Sequence, residues 1–318
     1  MQSRIRSVLK RINSKPFHLL AAIIRFLVYS NVFIATCALA LTYESFLLLH
    51  LPSSLNWYLL LIFLCTIFIY CLHYYITLKE INTDSRSQWC REHKQLLLAL
   101  IISSFILIVG GIIYHFNSIF GTGKNFHYHN LVWFIVIPLL ALAYSYPVIW
   151  WKKKSLRQIG WLKMASLSFI WSFTTVALPV LMLPDKGDLF TRTVFVPIAF
   201  LQRFVFIAAL SLLFNIRDYK EDKEAGIQTL AVIMGETASL RFGKWVMTIL
   251  NILFTLLLLW TFELQDATDY LAGFIPIALL FLLHQFFSSK KNAAFVIRND
   301  GLMLVQALLL IFVLKTYH

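Results

Sequence analysis

Acidic residues are scarce in this chain, 15 among 318, and four of them crowd into one seven-residue stretch, Asp218-Tyr-Lys-Glu221-Asp222-Lys-Glu224. Asp218 and Asp222 stand four apart, so on a continuing helix their carboxylates share one face. Two hard oxygen ligands at that separation suit Mg²⁺, which keeps several waters and completes its shell with phosphate oxygens. Arg217 and Lys223 sit beside them, placed to contact the same phosphates through charge-assisted hydrogen bonds. Spacing alone favours a second reading, a solvated loop whose acids balance its bases.

The elements that must position these residues are apolar and long. Hydrophobic residues make up 59% of the chain, mean hydropathy is +0.75, and the 14% that are charged fall in bursts between apolar runs. A soluble surface could not carry that much apolar area. Runs of roughly 18–23 residues cross about 30 Å of hydrocarbon as helices, which satisfy their own backbone polar groups. The alternating segments of a membrane β-barrel do not occur. The expected fold is therefore all-α, a polytopic membrane bundle of about nine transmembrane helices around a central cavity. The spans are expected near 18–42, 57–78, 95–114, 131–151, 161–183, 193–214, 245–262, 270–288 and 301–316. Without repeats, low-complexity linkers or a soluble domain, residues 1–318 read as one membrane domain.

Orientation comes from the basic residues. Of 28 lysines and arginines, 22 lie in the N-terminal tail and in alternate inter-span segments, four lie in the remaining segments, and Arg25 and Arg203 lie within spans. The positive-inside rule then puts the N-terminus and the Asp218–Glu224 loop in the cytoplasm. The tail, MQSRIRSVLKRINSK, has no small-residue cleavage site after the first apolar run and reads as a cytoplasmic segment before a retained span. The net charge of +13 indicates loops facing anionic lipid and an anionic substrate, with no nucleic acid partner. Arg25 is near enough to a span end to snorkel. Arg203, near the middle of the sixth span, must face the bundle interior, either to position a ligand or to pair with a polar group on another helix. Cys37, Cys65, Cys71 and Cys90 form no CxxC pair and read as packing residues.

The run DYKEDKEAGIQTLAVIMG, starting at Asp218, resembles the second aspartate-rich motif of the UbiA-type intramembrane prenyltransferase family: D-x-x-x-D, then a glycine and a threonine-leucine pair, after the sixth of nine helices. The resemblance extends over essentially the whole chain. It implies a cytoplasmic cap that binds a prenyl diphosphate through two acidic motifs and Mg²⁺, which stabilises charge on the departing pyrophosphate. The allylic cation is then shielded by aromatic faces and attacked by an aromatic or lipophilic acceptor, often a quinone-precursor ring. Carried onto this chain, Asp218 and Asp222 become metal-bridging catalytic residues, and Asn215 and Lys223 become diphosphate contacts.

Two other family features depart from pattern. The first motif, N-D-x-x-D-x-x-x-D, anchored here on Asn82 and Arg86, places its aspartates at Leu72, Tyr75 and Lys79, none acidic. Glu80 and Asp84, four apart, are either a shifted metal-ligand pair or a loop pair beside Lys79 and Arg86. His73 either contacts phosphate, replaces a ligand, or packs as a hydrogen-bonded core histidine. After the fourth helix the family carries Y-x-x-x-K. Here Tyr146-Pro147 is followed by lysine only at Lys152, which either reaches a diphosphate or anchors the interface with Lys153 and Lys154.

The abundance of 28 Phe, 13 Tyr and 9 Trp suits an isoprenoid cavity and is equally common at lipid-facing surfaces. The leading expectation is a Mg²⁺-dependent prenyltransferase of a bacterial inner membrane, with membrane lipid around it. The alternative is a catalytically degenerate isoprenoid- or quinone-binding membrane protein, favoured by the incomplete first motif. A transporter should show matched broken helices in two halves, and the sequence has none.

Overall fold

A computed structural model describes residues 21–79, 85–120, 128–146, 155–183, 191–288 and 293–316. Among the described residues all regular structure is helical. The longer helices, in chain order, are α1 (Ala21–Tyr29), α2 (Val32–Leu48), α3 (Ser53–Ile76), α4 (Ser85–Glu92), α5 (Lys94–Tyr114) and α6 (Tyr128–Ser145). They continue with α7 (Leu162–Leu181), α8 (Thr193–Arg217), the short α9 (Tyr219–Glu224) and α10 (Leu230–Met234), then α11 (Glu236–Thr261), α12 (Ala267–Gln285) and α13 (Ala293–Leu314).

Seven of these are long and apolar enough to cross a bilayer, or eight if α1 and α2, bent by 68°, form one crossing. The expected count of nine is thus not reached on length and composition. Of the expected fourth span, 131–151, the described part holds the apolar helix Leu131–Ser145, with Pro138 inside, and residues 147–151 lie outside the described residues.

The break in the expected first span has a polar cause. Asn31 adopts the left-handed conformation (φ 66°), which asparagine tolerates better than bulkier residues, and is fully buried. Its amide nitrogen donates to Cys71 Sγ at 3.4 Å, and its amide oxygen accepts from Arg86. The kink therefore fastens α4 and the end of α3 to the start of the bundle.

Packing runs from α6 to α7, α8, α11, α12, α13, α2 and α3, and α3 touches α6 again, which closes a ring; α5 lies outside α3. Helices α8 and α5 mark the two extremes: 61% of the most apolar stretch of α8 is buried against 17% for α5. The outer face of α5 presents Ile102, Phe105, Ile106 and Ile113, a row that water would not tolerate and hydrocarbon does.

Arg203 resolves in favour of pairing. Its guanidinium meets Glu44 of α2 at 2.8 Å and donates to Leu41 O and Thr175 Oγ1, each at 3.2 Å, with both ionic side chains essentially inaccessible. Thr175 lies in a wide π-type turn of α7, Phe173–Ala177, whose Thr174 carbonyl accepts from the Tyr58 hydroxyl at 2.7 Å. Arg25 is exposed on α1. None of the four cysteines is in a disulfide, and Cys37, Cys71 and Cys90 are buried.

Candidate functional site at the Asp218–Asp222 turn

The chain leaves α8 with little interruption. Asp218 N–H donates to Phe214 O and Asp222 N–H to Asp218 O, both at 2.9 Å, across a joint at φ −91°, ψ 11°. Asn215, Asp218 and Asp222 are therefore spaced three and four residues apart along one helical stripe. The glycine and threonine beyond Asp222 then turn the chain. Gly226 takes φ 69° to end α9, Ile227 N–H returns to Asp222 O at 2.8 Å, and Thr229 Oγ1 accepts from Val232 N–H to start α10.

Each acid is held by a cation. Asp222 is buried and its two oxygens accept from Lys163 Nζ at 3.0 and 2.7 Å. Burial pushes its carboxyl above the usual aspartate range; Lys163 opposes that push, while Asp218 and Glu221 add to it. Asp218 is gripped by the neighbouring Arg217, Nε to Oδ1 at 2.8 Å and a terminal nitrogen to Oδ2 at 3.1 Å. The Arg217 guanidinium also lies over the rings of Phe214 (4.8 Å) and Phe295 (5.0 Å), so Asp218 is held by a cation that is itself clamped. Asn215 is 1% exposed, and among the described residues neither atom of its amide has a partner.

Lys163 arrives through a close backbone approach. Ser155 and Gln158 form a reciprocal cap, after which Gly160 (φ 27°) passes so near Gln228 that a Cβ would stand 2.2 Å from its carbonyl oxygen. Only glycine permits this docking of the segment before α7 on the segment after α9.

The other expected contacts are distributed unevenly. His73, at the end of α3, meets Arg157 through Nε2 at 3.1 Å, and among the described residues its buried Nδ1 has no partner. The Tyr146 hydroxyl is likewise buried and, among the described residues, unpartnered. Tyr144 is within electrostatic reach of Arg157, Asp218 and Asp222, which ties the end of α6 to the acids. Lys223 is exposed with Nζ over the Tyr219 ring at 5.8 Å, off the Asn215–Asp222 stripe. Glu80, Asp84 and Lys152 lie outside the described residues. Of the positions where the first motif would carry acids, Leu72 and Tyr75 join an apolar cluster with Cys71 and Leu97, and Tyr75 receives Lys94 at 5.5 Å.

Sequence reasoning missed Lys163 and Arg157 as site residues. Both sit in a basic segment that reads as an interfacial anchor, and the only clue was Gly160 between them.

Among the described residues no three His, Cys, Asp or Glu side chains gather to hold a metal. The donors that fit Mg²⁺ are the two carboxylates of the stripe and the unpartnered amide oxygen of Asn215, a partial oxygen shell that leaves positions for water or phosphate.

The profile of the UbiA prenyltransferase family matches residues 93–296, a stretch that begins beyond the 71–86 segment and includes Asp218 and Asp222. The fold is similar to that of the apo structure of a UbiA homolog from Aeropyrum pernix K1, with a TM-score of 0.58 and 13% identity over 89% of this chain and 95% of that one. No curated protein matches the chain in sequence. An all-helical membrane bundle of that shape, with a family profile covering more than half of the 318 residues, settles the kinship: this chain belongs to the UbiA prenyltransferase family.

Proposed function

We propose that the chain transfers a prenyl group from an allylic prenyl diphosphate to an aromatic or lipophilic acceptor at the cytoplasmic rim of a bacterial inner membrane, with the N-terminus inside. The observation that carries this reading is the stripe of Asn215, Asp218 and Asp222, at the end of α8 and flanked by Arg217 and Lys163. Carboxylates alone would repel a diphosphate, and cations alone would bind it without a place for a metal. Their alternation suits a metal–diphosphate pair.

Asp218, Asp222 and the Asn215 amide would hold Mg²⁺, which supplies positive charge to the leaving pyrophosphate when bound. Lys163 and Arg217, each now neutralising a carboxylate, are the cations nearest the acids. Either would find a phosphate oxygen within a side-chain rotation. Arg157 fixes His73, and Tyr144 and Tyr146 bring aromatic faces to the same end of the bundle.

A specific observation favours a second reading, a binder of isoprenoid or quinone-like lipid that does not transfer. The 71–79 segment supplies Leu72, Tyr75 and Lys79 where the family motif has aspartates. The two readings separate when the purified chain is incubated with labelled farnesyl or geranylgeranyl diphosphate, Mg²⁺ and a membrane lipid extract. Pyrophosphate release that disappears in Asp218→Ala supports the enzyme. Lipid binding without release, unchanged in Asp222→Ala, supports the binder.

A further inference from the structure

The last long helix carries an acid that the motifs leave aside. Asp300 of α13 is 7% exposed, and its backbone carbonyl accepts from Cys37 Sγ at 3.4 Å, which seats it against α2. Among the described residues its carboxylate accepts no hydrogen bond and meets no cation at ion-pair distance; Arg86 and Arg217 act on it from farther away, with Tyr70 in the same neighbourhood.

Both guanidiniums are fixed elsewhere. Arg217 is forked on Asp218 and stacked on Phe295, five residues before Asp300 on the same helix. Arg86 donates to Val28 O at 3.2 Å and to Asn31, and lies 4.1 Å from the centre of the Tyr74 ring. A buried carboxylate without a donor is costly, and such groups persist where something else supplies the donor. Among the described residues, buried polar atoms without a partner collect at this end of the bundle: Ser30 Oγ, His73 Nδ1, the Tyr146 hydroxyl and both ends of the Asn215 amide.

The charges select the class of ligand. A cation approaching Asp300 meets two guanidiniums, and an anion meets the carboxylate itself. A neutral O–H on an apolar body meets neither penalty, and it satisfies the carboxylate from within the membrane-facing bundle. We propose that Asp300 is the polar anchor of a second ligand subsite, one that accepts the hydroxyl of a lipid-soluble phenol or alcohol. Under the prenyltransferase reading, on which only this identification rests, that ligand is the acceptor substrate, held beside the diphosphate end through Arg217.

The test uses the full chain in nanodiscs and two probes that differ by one donor, 4-nonylphenol and its methyl ether, with binding read by calorimetry. A site built around a hydroxyl rejects the analogue lacking it, so the phenol is expected to bind at least about tenfold more tightly. Asp300→Leu should erase that preference, while Asp300→Asn, whose amide oxygen still accepts, should keep part of it. Equal affinities in the unsubstituted chain, or a preference that survives Asp300→Leu, would overturn the subsite; if the leucine variant does not fold, the probe pair and the asparagine variant decide. Asp222→Ala, which leaves the Arg217–Asp218 fork in place, should keep the phenol preference intact while removing Mg²⁺-dependent farnesyl diphosphate binding. Loss of the prenyltransferase reading and loss of the subsite are therefore distinguishable.

Discussion

Lys163 Nζ sits 3.0 and 2.7 Å from the two oxygens of Asp222, joining the start of α7 to the turn after α8. The pair is largely shielded, with side-chain exposures of 14% and 8%. Removing the cation should leave a buried acid uncompensated, so Lys163→Met is expected to weaken Mg²⁺-dependent farnesyl diphosphate binding by roughly 10-fold or more, the scale of one lost charge-assisted hydrogen bond. Calorimetric titration of the variant checks it, and unchanged affinity would remove Lys163 from the site.

The approach of Gly160 to Gln228 is what delivers that lysine. Gly160→Ala places a Cβ 2.2 Å from a backbone oxygen and also strains a φ of 27°. The variant should melt at a lower temperature and show the same binding defect as Lys163→Met. Combined, the two substitutions should cost less than the sum of their separate effects, because both act through one ion pair. Strict additivity would mean that Gly160 matters only to stability.

Acidification gives a third check. Burial raises the Asp222 carboxyl above its ordinary value of 3.8 in the folded chain. A raised carboxyl favours the protonated folded form, so this group's relative stabilisation is present at low pH and is lost as pH rises through its folded value. Cation binding needs the opposite state, the carboxylate. Mg²⁺-dependent binding should therefore fade on lowering the pH while still above the usual aspartate range, and Lys163→Met should move that loss to still higher pH. A midpoint at the ordinary aspartate value would contradict the burial argument.

Arg203 and Glu44 make an independent prediction about the bundle. Breaking one partner of a buried pair typically costs about 3–5 kcal/mol, because the other charge remains in an apolar interior. Arg203→Met and Glu44→Gln should each lower thermal stability strongly, and the double substitution should recover part of the loss. Farnesyl diphosphate affinity of the folded fraction should not change, since among the described residues this pair bonds only to Leu41, Thr175 and itself. A binding defect in either variant would place the pair in the ligand site.

Much of this was legible in the amino-acid order, and what escaped has identifiable physics. Spans are readable because hydrocarbon imposes length and apolarity on contiguous residues, and Asp218 and Asp222 because their spacing is local. The break at Asn31 is hidden because one polar residue in an apolar run does not announce a left-handed turn. Lys163 is hidden because its partner lies 59 residues away, and a lysine before a span looks like an interfacial anchor. Arg203 could be read as needing a partner, but nothing in the order of residues points to Glu44. Asp300 is silent for a different reason. It belongs to no spaced pair, and its significance appears only when the folded chain brings Arg86 and Arg217 near it and leaves it without a donor.

The decisive measurement is Mg²⁺-dependent binding of farnesyl diphosphate to the purified full chain in nanodiscs, compared with Asp218→Ala and Asp222→Ala. Saturable binding that requires Mg²⁺ is expected, falling at least about 10-fold in each variant, as loss of a charge-assisted metal contact implies. Binding that ignores Mg²⁺, or that both variants retain at full strength, would remove the diphosphate site from this turn.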